Sequence, residues 1–151
     1  MAFNLLHSAQ AKSIGGRDGR ITSNDDVLSL ELTMPRALGG RAREGATNPE
    51  QLFAAGYAAC FGNAVIHIAR QEKVNASEIS VDAAVDLGLN DEKLPTLAVV
   101  LRVNLPGLTQ AQAEDIVHKA HETCPYSRAT RGNIDVKLTV TTEPVLEPAG
   151  S

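Results

Sequence analysis

TNPEQLFAAGYAACFGNAVIHIARQE, residues 47–72, is the stretch from which the rest of the chain is read. It opens as helices open. Thr47 or Asn48 can accept from the free N–H groups of a first turn, and Pro49 suits the first helical position, where its missing N–H is not needed. Glu50 then meets the positive end of the helix dipole. Phe53, Tyr57, Cys60, Phe61, Ala64, Val65 and Ile68 follow at helical spacing. Alanines fill most of the remaining positions, so a helix to about Glu72, buried on most sides, is expected.

On either side of this helix the period changes. Residues 1–34 alternate polar and apolar and are punctuated by Gly15-Gly16 and Asp18-Gly19, the pattern of short antiparallel strands joined by tight turns. Val27 to Leu32 has the period of two of a half-buried strand. Pro35 to Ala46 reads as a Gly-rich loop carrying Arg36, Arg41, Arg43 and Glu44. Downstream, Ile79 to Val85 and Thr96 to Leu105 read as strands separated by a turn near Asn90-Asp91. Thr109 caps a second helix, Gln110 to about Thr123, whose inward face is Ala113, Ile116, Val117 and Ala120; Pro125 interrupts it. Ile134, Val136, Leu138 and Val140 form a last strand, with a flexible tail over 144–151. The order predicts one α+β domain over 1–151, with N-terminal strands and loop over about 1–46, largely antiparallel sheets, a long buried central helix and a second helix.

Composition narrows the function classes. The chain has 151 residues, 43% hydrophobic but only 3% aromatic, so its core is built mainly from Ala, Val, Leu and Ile. Such a core of small side chains benefits from extra burial in an oligomer. Net charge is -4, with acids and bases interleaved, so no basic stripe marks a nucleic-acid partner. No apolar run approaches the ~20 residues that cross a bilayer, and the start MAFNLLHSAQAK does not read as a secretory signal; no membrane partner is expected. Two cysteines 64 positions apart do not form a secreted disulfide framework, and a reducing cytoplasm is the expected setting.

Those cysteines are the candidate chemistry. Cys60 sits in an apolar helical stripe, where a thiol packs as a small hydrophobe and burial raises its pKa; it reacts only if a cation is brought to it. Cys124 stands where a helix meets a proline. If it closes that helix the dipole opposes its thiolate, and if it caps a new turn from Pro125 the dipole favours it. His118, His121 and Cys124 follow at steps of three, but the outer two are ~9 Å apart along an axis and turned by roughly 120°, so solvent-facing histidines are expected rather than a metal site. No CxxC or HExxH pattern occurs. Gly15-Gly16-Arg17-Asp18-Gly19-Arg20 lacks the setting of a nucleotide loop, and taken alone Arg17 is a solvated turn residue and Glu50 a helix-start acid.

Four stretches change that balance: GGRDGR at 15–20, TNPEQLFAAGYAACFGNA at 47–64, LPGLT at 105–109 and CPYSRATRGNIDV at 124–136. With them the chain resembles, over nearly its whole length, the organic hydroperoxide resistance proteins, a branch of the group that also holds the osmotically induced bacterial proteins. The resemblance implies a thiol-dependent peroxidase that reduces alkyl and fatty-acid hydroperoxides, with Cys60 peroxidatic and Cys124 resolving. It implies that Arg17 and Glu50 activate the thiolate, that the protein is an intertwined homodimer with its sites at the subunit interface, and that dihydrolipoamide or a lipoylated protein is the reductant. No bound cofactor is implied. Arg41, Arg43 and Glu44 in the loop, Arg128, and the missing Gly-Phe near Thr96 depart from the family pattern and bear on specificity.

The chemistry is coherent. Arg17 can hold Cys60 as thiolate and hydrogen-bond the peroxide oxygens, while Glu50 orients the guanidinium through a bidentate pair. Phe53, Tyr57 and Phe61 are candidates either for core or for an apolar substrate pocket. Glu50 and Cys60 are ten residues apart, ~15 Å along one straight helix, so an arginine does not easily touch both. Either the helix breaks between them or each site draws them from different chains, the second being expected. Two other readings compete: a non-enzymatic small-molecule or lipid-binding dimer of the same fold, and a thiol–disulfide exchange protein.

Overall fold

The computed structural model of the chain describes residues 2–75 and 78–145. It divides into two compact units, Met1–Leu52 and Phe53–Ser151.

In the first, β1 (Ala11–Ile14), β2 (Arg20–Ser23) and β3 (Ser29–Glu31) form an antiparallel sheet in chain order. The link between β1 and β2 is a 3-10 turn, Gly16–Asp18, entered through left-handed Gly15 at φ 83. Gly19 closes it, and a Cβ there would stand 1.8 Å from the Ile14 carbonyl oxygen, so no other residue fits. Asp18 Oδ1 accepts from the Met34 N–H at 2.9 Å, tying the turn to the chain beyond β3. The strand expected from Val27 starts two residues later. Asp26, at φ 61, donates its N–H to the Ser23 carbonyl, and Asp25 accepts from the Val27 N–H, so local turn bonds hold this approach out of the ladder. Among the described residues of this unit, Leu32 is the one buried apolar side chain.

α1 (Pro49–Gln71) begins in the first unit and continues through the second. Asn48 is its cap, with Oδ1 accepting from the Gln51 N–H at 2.8 Å. Next come β4 (Ser80–Leu89) and β5 (Pro95–Asn104), then α2 (Gln110–Thr123), α3 (Pro125–Thr130) and β6 (Val136–Thr141). Asn90 shapes the β4–β5 turn by accepting from the N–H groups of Glu92 and Leu94. Thr109 and Gln112 form a reciprocal capping box at the start of α2.

The fold is α+β, as the element order predicts, but the second sheet is mixed. In the order β4-β5-β6, β4 pairs antiparallel with β5 while β6 runs parallel to it. The helical connection through α2 and α3 returns the chain to the same end of the sheet, which only a parallel strand can follow. The core is one stripe of α1 (Tyr57, Phe61, Val65, Ile68, Ala69) clustered with Val99, Leu101 and Val103 of β5 and with Ala113, Ile116, Val117 and Ala120 of α2.

Burial on most sides of α1 is not reached within one chain: Ala55, Ala59 and Asn63 are exposed. Among the described residues α1 is also the one helix long and apolar enough to cross a bilayer, with mean hydropathy 1.5. Apolar residues mixed with alanine and glycine reach that mean without a continuous run of large side chains. Tyr57, Phe61 and Val65 are sealed within the core cluster, which is the placement of a core helix. Of the expected tail, residues 146–151 lie outside the described residues.

Candidate active site

Cys60 lies on the fourth turn of α1, and Cys124 ends α2 and begins α3. Pro125, with no N–H to give, suits the first position of the new helix and forces the old one to stop. Cys124 is therefore fully buried at a corner, with φ -58 and ψ 126. Both cysteines are free, and their sulfurs are 3.6 Å apart, in contact, across 64 positions of sequence. A disulfide needs about 2.0 Å between sulfurs, so the two thiols stand in contact but unbonded. Within its own unit, burial pushes the Cys60 thiol up. The Tyr126 peptide N–H pulls it down, and the neighbouring Cys124 adds to the rise.

Arg17 and Glu50 meet in the first unit. The 3-10 turn presents the guanidinium to the first turn of α1, where Nη1 donates to Glu50 Oε2 at 2.8 Å and Nη2 to Oε1 at 2.5 Å. This is the bidentate geometry of an oriented guanidinium. Arg17 holds the Glu50 carboxyl below its ordinary range, and Glu50 in turn raises Arg17, so both stay charged near neutral pH.

The three candidate aromatics separate. Tyr57 and Phe61 are fully buried core, so neither lines a pocket. Tyr57 packs against Tyr126 and reaches Ser127 and Thr130 of α3, and Phe61 lies against His121 of α2. Phe53 borders a cavity of about 650 Å³, together with Pro95, Leu97, Tyr126, Ala129 and Ile134. Tyr126, absent from the sequence-based candidates, packs its ring on Phe53 and Tyr57 at centroid distances of 6.3 and 5.7 Å. Thr96 also lines this cavity, so the departure noted near it falls on the cavity wall.

His121 is a correction to the expectation of solvent-facing histidines. Its ring lies 6.2 Å from that of Phe61, and Nδ1 is 2.8 Å from Ser127 Oγ. Ser127 Oγ is also 2.8 Å from the Tyr57 hydroxyl, which reaches Thr130 Oγ1 at 3.2 Å, and Arg131 donates to the His121 carbonyl. This polar chain stitches α3 to α1 and α2 beside the cysteines. Sequence reasoning missed it, although the S and T of CPYSRAT, spaced three apart on a short helix, are its visible trace. Burial lowers the His121 pKa, and the positive charge of Arg131 and His118 adds to that. Among the described residues, no group of three His, Cys, Asp or Glu side chains is placed to hold a metal ion.

Comparison with known proteins places this geometry in context. The OsmC-like protein family matches residues 41–139. An organic hydroperoxide resistance protein of Xanthomonas axonopodis pv. citri is 48% identical over 140 residues, covering 90% of this chain and 95% of that protein. Organic hydroperoxide resistance protein OhrA of Bacillus subtilis is 48% identical over 137 residues, covering 89% and 96%. The crystal structure of an organic hydroperoxide resistance protein from Legionella pneumophila aligns with TM-score 0.86 at 50% identity, over 92% of this chain and 100% of that one. The structure of OhrB of Bacillus subtilis aligns with TM-score 0.81 at 44% identity, over 90% and 99%.

Proposed function

Because this chain belongs to the OsmC-like family, in the branch of organic hydroperoxide resistance proteins, we propose that it is a thiol peroxidase that reduces organic hydroperoxides to alcohols. One observation carries the reading: two free thiols, 64 residues apart in sequence, rest with their sulfurs 3.6 Å apart at the junction of three helices. Such contact suits a bond that forms and breaks. It also suits a reducing compartment such as the cytoplasm, where the thiols stay open.

The Cys60 thiolate attacks one peroxide oxygen. The O–O bond breaks, the alkoxide leaves and takes a proton to become the alcohol, and Cys60 becomes a sulfenic acid. The Cys124 thiol displaces the hydroxyl as water, forming the Cys60–Cys124 disulfide. An external dithiol reopens it by two exchange steps and is itself oxidised to a disulfide; dihydrolipoamide, free or protein-bound, is the donor we propose. Cys60 in its own unit is held toward the thiol by burial, so a cation is needed to reverse this. Arg17, oriented by Glu50, is that cation, and its planar donors also suit the charge growing on the peroxide oxygens.

α1 runs unbroken from Pro49 to Gln71, so a break between Glu50 and Cys60 is not how both serve one site. We propose that the Arg17–Glu50 pair of one chain serves the partner subunit's Cys60 in a homodimer. The exposed face of α1 at Ala55 and Ala59, and the single buried apolar side chain among the described residues of the first unit, support this.

The test mixes the protein with cumene hydroperoxide and dihydrolipoamide. Wild type turns over, Cys60→Ser consumes none, and Cys124→Ser reduces about one equivalent and then stalls. A second reading, a non-enzymatic binding dimer, has the mostly apolar cavity beside Phe53 in its favour. Absence of thiol-dependent peroxide loss in wild type would select it.

A further inference from the structure

Tyr126 has no part in the chemistry above, yet the geometry of the cysteine pair converges on it. Its ring rests on α1 at Gly56, one turn before Cys60. A Cβ on residue 56 would stand 3.2 Å from the Tyr126 hydroxyl and 3.3 Å from Cε2. Phe53 and Tyr57 flank this seat. Phe53, Gly56, Tyr57 and Cys60 follow at steps that keep them on one helix face, so ring and thiol are neighbours along it. Tyr126 as a whole is 40% exposed, so it is not sealed in the core as Tyr57 is. The Tyr126 peptide also acts on Cys60, lowering a pKa that burial raises.

α3 has six residues, too few to hold a helical position by its own bonds. Its later residues, Ser127 and Thr130, are anchored by the Tyr57 hydroxyl. The turn that carries Cys124 has the Tyr126 ring as its anchor. We propose that Tyr126 is a positioning residue for the cysteine pair: its ring, seated on the bare backbone of Gly56, sets the register of α3 on α1 that keeps the Cys124 sulfur against that of Cys60. The proposal deepens the reading of these thiols as a redox pair and rests on it.

The experiment uses no peroxide. Reduced protein is oxidised with diamide, which takes two hydrogens as the Cys60–Cys124 bond forms. The disulfide is then equilibrated with mixtures of reduced and oxidised glutathione, trapped by alkylation and weighed. Tyr126→Ala and Gly56→Leu, which fills the seat with an aliphatic side chain, should each shift the equilibrium toward the dithiol by about tenfold or more. Tyr126→Phe, which keeps ring and peptide, should stay within about twofold of wild type. Thermal melts identify any variant that fails to fold; Gly56→Leu raises helix propensity and carries the test if Tyr126→Ala does not fold. Wild-type equilibria in both disruptive variants, or a Tyr126→Phe protein as impaired as Tyr126→Ala, would overturn the proposal. A wild type that forms this disulfide yet leaves cumene hydroperoxide untouched would overturn the peroxidase reading and leave this one standing.

Discussion

Arg17 shows how little a single residue declares about itself. On its turn it reads as a solvated arginine, and only the resemblance singles it out. The fold brings it across 33 positions onto Glu50 in a bidentate pair. Because Arg17 depresses the Glu50 pKa, the pair stabilises the fold above the carboxylate's unfolded value of about 4.3 and loses that contribution as pH falls through the lower folded value. In the proposed mechanism its larger effect is on rate. Arg17→Ala should slow reaction with cumene hydroperoxide by about a hundredfold, the scale of losing one charged donor in a transition state. The unfolding free energy should change by only about 1 kcal/mol. Arg17→Lys should recover little, since an ammonium cannot reproduce the planar fork. Competition kinetics beside thermal melts reads both quantities, and an unchanged rate would remove Arg17 from the mechanism. The contact between Cys60 and Cys124 was equally unreadable from spacing: nothing in a helical stripe and a Cys-Pro step says that they meet.

Elements were the most legible level. A cap at Thr47 or Asn48 before Pro49, a cap at Thr109 and the inward face of α2 follow from local capping and periodicity rules, and the structure realises them, choosing Asn48 and adding Gln112 to the cap of α2. What escaped was pairing direction, because β6 pairs parallel only as a result of where two helices return the chain. Open as well was the choice between a helix end and a new start at Cys124, which the structure makes both. The stitching of α3 to α1 through His121, Ser127 and Tyr57 also escaped, being set by packing. It has a pH signature. His121 is held below its ordinary value, first by burial, so as pH falls below about 6.5 the unfolded chain takes the proton before the folded one does. Stability should therefore decline between pH 7 and 5, the decline ending below the folded pKa. His121→Asn should flatten the slope of melting temperature against pH over that range. An identical slope in the variant would exclude His121 as its source.

For the whole molecule the question is what a single chain leaves uncovered. The first unit buries one apolar side chain among its described residues, too little for some fifty residues to stand alone, and α1 shows Ala55 and Ala59 to solvent. If a second copy covers that face, Ala59→Arg should yield a monomer in sedimentation and reduce peroxidase turnover by at least tenfold, since the missing interface would separate Arg17 from the thiol it serves. A dimer of full activity would place the interface elsewhere. The amino-acid sequence by itself determined the two long helices and most of the strands and turns, because caps, periodicity and proline act within a few residues. It also carried, through four short stretches, the family. Only the tertiary structure decided that two distant sulfurs touch, that Arg17 grips Glu50, that Tyr57 and Phe61 are core, and that Tyr126 borders the cavity while its ring rests on Gly56. Those facts depend on how elements pack against one another, and packing between residues far apart in the chain leaves no local mark in its sequence.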